Sequence, residues 1–396
     1  MRPGAEIFAD LLAAARGGPV AALASCGAGP SWLLHDPVEV LRVPWAARAG
    51  GLATLSGFLE RHRDRRCVGY LGYDLRDAVE AIPPRIGPDL DLPVLWFAAF
   101  AGAAEYAPAA VPEAPAVPGA SDLRLAFTAA EYRAAVADIV ERICDGDLFQ
   151  ANLTQPFTAA WDGDPRALFW RLCHVSPAPF AAYLEDGDLR VLSVSPEEFL
   201  HRAGGTVRTR PIKGTSARDP DPDRDAAALA DLRASTKDRA ELAMIVDLLR
   251  NDLGKLARPG SVRVGPFPEA ASFAQVHHLL ATVRAELPPD TPHVELLRAV
   301  FPGGSITGAP KLRAMQVLEE LERVRRGVYT GALGWIGPGP ALHLNVAIRT
   351  LVLRGRTARF HAGGGVTARS DPEAEWRESL HKARGIARAL GLELGG

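Results

Sequence analysis

The most regular pattern of apolar and polar residues begins just after residue 127. Thr128 and Glu131 have the Thr-x-x-Glu spacing of a capping box, in which two side chains satisfy the first backbone N–H groups of a helix. Apolar residues then recur at helical spacing, at Val136, Ile139, Val140 and Ile143. Gly146 is a suitable stop for this run. The pattern predicts an amphipathic helix between residues 128 and 146.

Short β-rich runs follow this helix and alternate with helical runs. The β-rich runs cover Leu189–Val194, Ser261–Val264 and Leu342–Leu353, and they are separated by helical segments of irregular length. No repeat of fixed period is visible along the chain. This mixture predicts an α+β fold.

An Ala/Pro-rich segment from Ala101 to Ala120 divides the chain into a shorter and a longer part. Prolines at positions 108, 112, 115 and 118 suit an exposed connection better than a packed element. The sequence therefore predicts an amino-terminal part of residues 1–105, which folds against the rest of the chain. A connection of residues 106–122 and a catalytic domain of residues 123–396 would follow.

Composition narrows the class of function. The 396 residues are 47% hydrophobic and 23% charged, as expected of a globular protein with a large core. A net charge of −2 argues against nucleic-acid binding, since that function needs a basic surface. The four cysteines form no CxxC pair, so neither a disulfide framework nor a zinc cluster is expected. The longest uncharged apolar stretch, Leu92–Ala104, is too short for a bilayer, and a cytoplasmic enzyme acting on a small molecule is predicted.

Two pairs of acidic residues have a spacing of three, which places each pair on one face of a helix. Asp238 and Glu241 precede one apolar run, and Glu375 and Glu378 lie in the last predicted helix with Lys382. If the two faces meet, their oxygens would suit Mg²⁺, which binds through one or two carboxylates together with substrate oxygens and water. From spacing alone an exposed salt bridge between Glu378 and Lys382 is the favoured interpretation.

Two glycine-rich segments are candidates for ligand binding. The segment Gly303–Lys311 leads into a helix, and a Gly/Ser/Thr loop at a helix amino terminus can present N–H groups and hydroxyls to an anion. It lacks Walker spacing, which argues against a nucleotide-binding enzyme. The run Gly363–Gly365 allows close approach of a ligand to the backbone, although a tight turn is the alternative.

A lysine and a glutamate in the middle of the chain are weaker candidates for chemistry. Lys213 lies between Pro-Ile and Gly-Thr, where partial burial could lower its pKa enough to make the amine a nucleophile. The alternative is an ordinary solvated lysine. Glu197 follows Pro196, and from the residues alone a turn position is the favoured interpretation. No Ser/His/Asp or Cys/His set is evident around His277 and His278.

Read together, these segments resemble the chorismate-utilising family that includes the large subunits of anthranilate and aminodeoxychorismate synthases. The matching blocks run in one order from about residue 127 to residue 390, whereas the first hundred residues match loosely. The blocks are GDLFQANLTQ (146–155), SVSPEEFL (193–200), TRPIKGTSAR (209–218), DRAELAMIVDLLRNDLGKL (238–256), VHHLLATV (276–283), FPGGSITGAPKLRAM (301–315), RGVYTGALGWIG (326–337), NVAIRT (345–350) and GGGVTARSDPEAEWRESLHKA (363–383). The family fold implied has two packed antiparallel or mixed sheets flanked by helices.

The resemblance also implies a metal site and a substrate site. Glu241 and Glu378 would bind Mg²⁺, with Asp238 and Glu375 as outer ligands. Substrate-binding positions of the family match Gly214, Thr215, His278, Ser305, Tyr329, Arg349, Gly363, Gly364, Gly365 and Lys382. A dianion such as chorismate needs cationic groups and backbone donors to offset the desolvation of its two carboxylates.

Three positions bear on which reaction the family resemblance implies. Family members that add water carry a lysine where this chain has Gln150, and those that make anthranilate typically carry alanine in place of Lys213. The resemblance therefore implies amination at ring carbon 4. Lys213 would add to ring carbon 2 while Glu197 protonates the departing hydroxyl.

Ammonia would come from a separate glutamine amidotransferase subunit, because no glutaminase-type cysteine motif is present. The family's tryptophan site is commonly marked by a Leu-Leu-Glu-Ser block, and Leu33–Asp36 departs from it, which argues against tryptophan regulation. Two alternatives remain open. One is amination at carbon 2 with loss of pyruvate, as in anthranilate synthase, and the other is a non-catalytic homologue that retains only the fold.

Overall fold

The computed structural model describes residues 1–14, 18–26, 29–108, 111–273 and 276–394. The α-helices of these residues are α1 (Glu6–Ala13), α2 (Gly51–Arg61), α3 (Ala129–Cys144), α4 (Pro165–Val175), α5 (Pro222–Ala234), α6 (Thr236–Gly254), α7 (His293–Val300), α8 (Lys311–Leu321) and α9 (Pro372–Ala389). Short 3-10 helices cover Trp45–Gly50, Tyr73–Ala78 and Gly304–Ile306.

The strands alternate with these helices in chain order. They are β1 (Val20–Ala24), β2 (Ser31–Val43), β3 (Cys67–Leu71), β4 (Leu95–Tyr106), β5 (Ser121–Leu125), β6 (Gln150–Ala160), β7 (Phe180–Asp186), β8 (Leu189–Ser195), β9 (Glu198–Ala203), β10 (Thr206–Arg210), β11 (Ile212–Ala217), β12 (Arg263–Val264), β13 (Glu269–Ser272), β14 (Val276–Leu280), β15 (Val283–Glu286), β16 (Gly308–Ala309), β17 (Ala332–Ile336), β18 (Leu342–Val346), β19 (Thr350–Arg354) and β20 (Thr357–Val366). The predicted α+β class is confirmed.

Helix α3 forms where the periodic pattern predicts it, and the predicted capping box is present at its start. The Thr128 hydroxyl accepts a hydrogen bond from the Glu131 N–H, and the Glu131 carboxylate accepts one from the Thr128 N–H. Both groups would otherwise be unsatisfied donors at the helix start. Val136 and Ile139 on the apolar face are fully buried, which anchors the helix to the core.

Hydrogen bonds join seventeen strands into one network, and β11, β13 and β14 form a separate three-stranded sheet. The amino-terminal strands belong to the large network, since β1 pairs with β7 and β3 pairs with β17. The connection after β4 has no regular structure before β5, and its residues 109 and 110 lie outside the described residues. Of the predicted β-rich runs, Leu342–Leu353 is interrupted at Ala347–Arg349, which separates β18 from β19.

Helix α9 packs along β20 and closes one face of the sheet. Its apolar seam consists of Leu380, Ala383 and Ala387, all buried against Ala358 and Phe360 of the strand. The polar residues of α9 are therefore directed to the end of β20, where the glycines 363–365 lie. Among the described residues, no helix has the combination of length and apolarity that a bilayer span needs.

Candidate active site

The three-stranded sheet brings together the residues around Lys213 and His278. Lys213 pairs with Leu279 and Thr215 with His278 across β11 and β14. The Gly214 carbonyl lies 3.2 Å from His278 Nδ1, so this nitrogen carries the hydrogen and donates it. Burial lowers the pKa of His278 to about 4, which keeps the ring neutral at pH 7. Its buried Nε2 has no hydrogen-bond partner within the described residues and remains an acceptor for a ligand.

Gly214 occupies a position that a side chain could not take easily. Its φ of +67° lies in the left-handed region. A Cβ at this residue would lie 3.1 Å from Cγ of Asp238 and 3.0 Å from Leu232. The predicted outer metal ligand Asp238 therefore packs directly against the backbone beside Lys213.

Lys213 is largely buried, with 13% of its side chain exposed. Its Nζ lies 3.9 Å from Oε2 of Glu241, a weak ion pair. Burial lowers the pKa of Lys213, and the carboxylate of Glu241 opposes this effect only in part. A Cβ at Gly365 would lie 3.3 Å from Lys213 Nζ and 2.5 Å from Gln150 Nε2. The solvated-lysine interpretation is therefore wrong, because the amine lies inside the site against the glycine run.

Glu197 lies in the short connection between β8 and β9, in keeping with the turn position favoured by its neighbours, yet it is buried, with 5% of the residue exposed. Ser305 Oγ donates a hydrogen bond of 2.6 Å to Glu197 Oε1. Burial raises the pKa of Glu197 to about 7, although the Ser305 hydrogen bond and the charge of Lys213 act in the opposite direction. A carboxyl group that exchanges its proton near neutral pH is suited to general acid catalysis.

Helix α9 supplies the other predicted acids at the end of β20. A Cβ at Gly364 would lie 2.8 Å from Glu375 Oε2 and 3.4 Å from Glu378 Oε1, so both carboxylates lie over this glycine. Glu375 is buried, and burial raises its pKa even though Ser370 Oγ donates to its Oε1 at 2.7 Å.

The salt bridge favoured from spacing is present, and it belongs to the site. Lys382 Nζ lies 2.7 Å from Glu378 Oε1, with 48% and 47% of the two side chains exposed. The same ammonium group donates a hydrogen bond of 2.9 Å to the Gly363 carbonyl. Partial burial raises the pKa of Glu378, but the charge and hydrogen bond of Lys382 outweigh it and lower the value overall. Glu378 is thus an ionised, accessible carboxylate beside the glycine run.

The donor set is compatible with a hard cation. Glu241 and Glu378 come from different helices. Glu241 Oε2 lies 3.9 Å from Lys213 Nζ, and Glu378 lies over Gly364, next to the glycine against which Lys213 lies, so both carboxylates border the same cleft. Within the described ranges, no group of three or more His, Cys, Asp or Glu residues could hold a metal alone. Two carboxylates completed by substrate oxygens and water suit Mg²⁺ better than a metal that needs a full protein cage.

Arg349 has the properties of an anion-binding residue. It is a non-glycine residue with a φ of +49°, in a conformation that persists only where surrounding structure enforces it. Burial lowers the pKa of Arg349. No carboxylate in the described part of the chain pairs with its guanidinium. Tyr329, another predicted substrate residue, is buried on the loop that precedes β17. Its ring stacks on that of His361, with 5.2 Å between the ring centroids.

Sequence reasoning missed the buried residues that hold the site together. Arg326 donates to the carbonyls of Ile306 and Asn152 at 3.0 and 2.7 Å, and to Glu322 at 2.6 Å. These contacts fix the segments that carry Ser305, Gln150 and Tyr329.

We call Asp74, Arg76, Glu319, Glu322, Arg325 and Arg326 the ion-pair frame. The i,i+4 spacing of Glu322 and Arg326 is the available signal, but spacing does not reveal burial.

A hydrogen-bonded Ser/His/Asp set is present as well, contrary to the sequence interpretation. Ser272 Oγ lies 2.7 Å from His277 Nδ1, and His277 Nε2 lies 2.9 Å from Asp225 Oδ1. Asp225 is also held by Arg218 at 2.9 Å. Ser272 faces its cross-strand partner His277 in the β13–β14 hairpin. The set ties α5 to the strand that carries His278, which explains its presence without a nucleophilic role.

Comparison with known proteins gives a consistent set of matches. Residues 42–388 match the family described as chorismate binding enzyme. The chain is 39% identical over 345 residues to aminodeoxychorismate synthase component 1 of Klebsiella aerogenes, covering 82% of this chain and 76% of that protein. It is 36% identical over 400 residues to anthranilate synthase component 1 of Streptomyces coelicolor, covering 90% and 77%.

The structural match agrees with the sequence matches. Anthranilate synthase component I of Streptococcus pneumoniae TIGR4 superposes with a TM-score of 0.79 at 25% identity, covering 92% of this chain and 93% of that one. The chain spans between 57% and 60% of the length of three other relatives named aminodeoxychorismate synthase component 1, from Salmonella typhimurium, Bacillus subtilis and Escherichia coli.

Proposed function

Since this chain belongs to the family of chorismate binding enzymes, as its motifs imply, we propose that it aminates chorismate at ring carbon 4, as an aminodeoxychorismate synthase component 1. The observation that carries the proposal is the buried Lys213, whose amine lies between Glu241 and the glycine run. A lowered pKa increases the fraction of the free amine, which is the form that acts as a nucleophile.

Substrate binding would use the cationic groups of the cleft. Arg349 has no carboxylate partner among the described residues, and Lys382 lies at the end of β20, so the two side chains can meet the two carboxylates of chorismate. Neutral His278 would accept a hydrogen bond from a substrate hydroxyl through its free Nε2. Glu241 and Glu378 would hold Mg²⁺, with Asp238 and Glu375 behind them, and the ion would neutralise charge that develops on the ring carboxylate.

The first chemical step would form a covalent bond between Lys213 Nζ and ring carbon 2. The ring double bonds shift as the C4–O bond breaks, and Glu197 gives its proton to the departing hydroxyl, which leaves as water. The raised pKa of Glu197 supports this role, because the carboxyl is partly protonated at neutral pH.

In the second step ammonia attacks carbon 4, and the proton that the new C4 ammonium group loses returns to Glu197. The ring double bonds shift back and the C2–N bond to Lys213 breaks, which returns the free amine. The net change is replacement of the C4 hydroxyl by an amino group with release of water. The enolpyruvyl ether is untouched, so this route would release no pyruvate and would place the chain among transferases of amino groups.

A second candidate function is amination at carbon 2 with loss of pyruvate, as the name of the Streptomyces coelicolor relative implies for that protein. That reaction needs no amine nucleophile from the enzyme. The position of Lys213 against Gly365 leaves an amine in the site with no purpose in that reaction, which favours carbon 4.

Ammonia would come from a glutamine amidotransferase subunit. The designation component 1 of the relatives implies a second component. The cysteines of this chain support an external source. Burial raises the pKa of Cys67 to about 12 and raises that of Cys173, so both are poor nucleophiles, whereas a hydrogen bond with Cys173 lowers the pKa of Cys26. In the described part of the chain, no histidine hydrogen bonds to any of the four cysteines.

The test is a mass-resolved product assay with purified protein, chorismate, Mg²⁺ and ammonium, run with and without an added aminodeoxychorismate lyase. A product that retains the enolpyruvyl group, and that the lyase converts to 4-aminobenzoate, is expected. Direct formation of anthranilate and pyruvate would overturn the carbon 4 assignment. Turnover with glutamine in the absence of any partner would overturn the separate amidotransferase.

A further inference from the structure

The four cysteines of the chain differ in burial and in their neighbours. Cys67 and Cys173 are buried, Cys26 is partly exposed and Cys144 is exposed, and all four are free thiols. A hydrogen bond joins the thiol groups of Cys26 and Cys173. We call these two residues the thiol pair. The reaction proposed above uses neither of them.

The pairing of β1 with β7 brings the two cysteines together from distant parts of the chain. Ala24 at the end of β1 pairs with Ala181 of β7. Cys26 follows two residues later, and its thiol hydrogen bonds to the backbone of Ala178, in the connection between α4 and β7. Cys173 lies in the last turn of α4. The strand register and the Ala178 contact therefore both place Cys26 against the end of α4.

The surroundings of the thiol pair give its two members different access to water. Both pack in one hydrophobic cluster, which also contains Leu172 and Ala178. Cys173 is fully buried in this cluster, whereas Cys26 lies at its edge and is partly exposed. A small oxidant in water therefore meets the Cys26 sulfur first. An accessible thiol beside a second thiol is the arrangement of cysteines that oxidise reversibly to a disulfide.

The two thiols also differ in acidity. The hydrogen bond with Cys173 lowers the pKa of Cys26, although burial opposes this effect. Burial raises the pKa of Cys173 well above its usual range, and the hydrogen bond with Cys26 raises it further. Both directions are expected when the Cys173 S–H donates to the Cys26 thiolate. Because the thiolate is the reactive form, Cys26 is the nucleophile of the pair.

We propose that the thiol pair is an oxidation site, at which a peroxide converts Cys26 and Cys173 into an intramolecular disulfide. The Cys26 thiolate attacks one peroxide oxygen and the O–O bond breaks, which gives a sulfenic acid and hydroxide. The hydroxide takes up the proton that Cys26 had lost and becomes water. The Cys173 sulfur then attacks the sulfenic sulfur, the S–O bond breaks, and the hydroxyl leaves as a second water with the proton of Cys173. A thiol reductant reverses the change.

The disulfide would tie the amino-terminal strands to the helices behind the candidate active site. Strand β1 belongs to the amino-terminal part, and α4 packs against α9, the helix that carries Glu375 and Glu378. A cross-link between residues 26 and 173 closes a long loop in the unfolded chain and lowers its conformational entropy. Oxidation should therefore raise Tm by several degrees.

The test is treatment of the folded, full-length protein with hydrogen peroxide, followed by alkylation of the remaining thiols and peptide mass mapping without reduction. The expected product is a cross-linked pair of peptides that contain Cys26 and Cys173, with a loss of two hydrogens that dithiothreitol reverses. Thermal unfolding should show the higher Tm in the oxidised protein, and circular dichroism confirms that the protein stays folded during the treatment.

Three substitutions separate the thiol pair from a general reaction of cysteines. Cys144→Ser is the matched control, because it removes an exposed thiol outside the pair, and the disulfide should form as in the wild type. In Cys173→Ser the oxidised Cys26 has no second thiol to react with, so it should proceed to sulfinic acid, and peroxide should no longer raise Tm. Cys26→Ser covers the case in which Cys173→Ser does not fold, and Cys173 should then stay reduced.

Two results would overturn the proposal. One is a folded wild-type protein in which Cys26 reaches sulfinic acid or stays reduced while no cross-link to Cys173 forms. The other is oxidation of the buried Cys173 in folded Cys26→Ser at the wild-type rate, which would mean that Cys26 is not the first thiol to react. Since the assay contains no chorismate, either result leaves the reaction proposed for Lys213 unaffected.

Discussion

The ion-pair frame and the candidate active site are both buried and both rich in charge, yet their charges are partnered differently. In the frame each guanidinium group donates hydrogen bonds to a carboxylate or a carbonyl. Arg326, for example, donates a hydrogen bond of 2.6 Å to Oε1 of Glu322. In the site Lys213 has only a 3.9 Å contact with Glu241, and Arg349 has no carboxylate partner in the described ranges. Groups that the fold satisfies hold the structure, and groups that it leaves unsatisfied are available to a substrate.

The difference also concerns protonation. Burial raises the pKa of Glu197 to about 7 and lowers that of Lys213, so both approach the neutral range from opposite sides. In the frame, the charge of Glu322 and its hydrogen bond raise the pKa of Arg326 although burial acts against it. Arg326 therefore stays charged, whereas burial in the site moves the pKa values of Glu197 and Lys213 in the directions that favour their neutral forms.

The largest effect is expected when the charge of one predicted metal ligand is removed. Glu378→Gln should abolish Mg²⁺-dependent turnover, because one of the two predicted carboxylate ligands is lost. The fold should be unaffected, since 47% of the Glu378 side chain is exposed. Initial rates across a Mg²⁺ titration, with circular dichroism as the control for folding, test this. Turnover equal to wild type at low Mg²⁺ would refute the ligand assignment.

The next largest effect is expected on stability, from a substitution in the ion-pair frame. Arg326→Met leaves Glu322 buried without its partner and should lower the free energy of unfolding by about 3–5 kcal/mol. The matched control is Arg377→Met, which removes an exposed i,i+4 partner of Glu373 and should cost less than about 1 kcal/mol. Urea unfolding measures both. Equal losses in the two variants would contradict the distinction between paired buried charge and surface charge.

Removal of the nucleophile should have a smaller effect on rate than loss of the metal ligand. Lys213→Ala should lower kcat by about 100-fold, within the range typical of one positioned catalytic group, and leave slow direct amination by ammonia. Denaturing mass spectrometry of the wild-type protein with chorismate and without ammonia should detect the adduct, and the variant should form none. A wild-type rate in Lys213→Ala would rule out the covalent role.

The mildest perturbation is a change of pH. The proposed acid form of Glu197 predominates below its pKa of about 7 and is lost as pH rises, so kcat should fall up to about tenfold per pH unit on the alkaline side. Glu197→Gln should abolish this limb as well as most of the activity. An alkaline limb of kcat that persists unchanged in the variant would assign the titration to another group.

Local structure could be predicted from local residues. The capping box and the apolar spacing place α3 correctly, and the last predicted helix, with Glu375, Glu378 and Lys382, is present as α9. Leu342–Leu353 was predicted as one β-rich run, but Arg349 in the left-handed region interrupts it between β18 and β19. Tertiary contacts overrode the local preference there, at a residue that the family resemblance assigns to the substrate.

The burial of individual charged residues could not be predicted in this way. The residues around Lys213 left a solvated side chain open as the alternative, and those around Glu197 indicated a turn, but neither showed that only 13% of the Lys213 side chain and 5% of Glu197 are exposed. Spacing favoured a salt bridge for Glu378 and Lys382, which is present, but it did not show that the pair lies over Gly363 and Gly364. Arg326 gave only the i,i+4 spacing to Glu322, which does not show its contact with the Asn152 carbonyl, and His361 gave no signal, because its ring stacks on Tyr329 from another segment.

The sequence by itself determined the α+β class, the helices with clear caps, and, through its ordered motifs, the family and the set of candidate residues. Those properties depend on neighbours a few positions apart or on the order of blocks along the chain. Only the tertiary structure decided which charges are satisfied and which are left free. The reason is that desolvation and ion pairing depend on the distance between atoms in space, and residues such as Lys213 of β11 and Gly365 of β20 are brought together from distant parts of the chain.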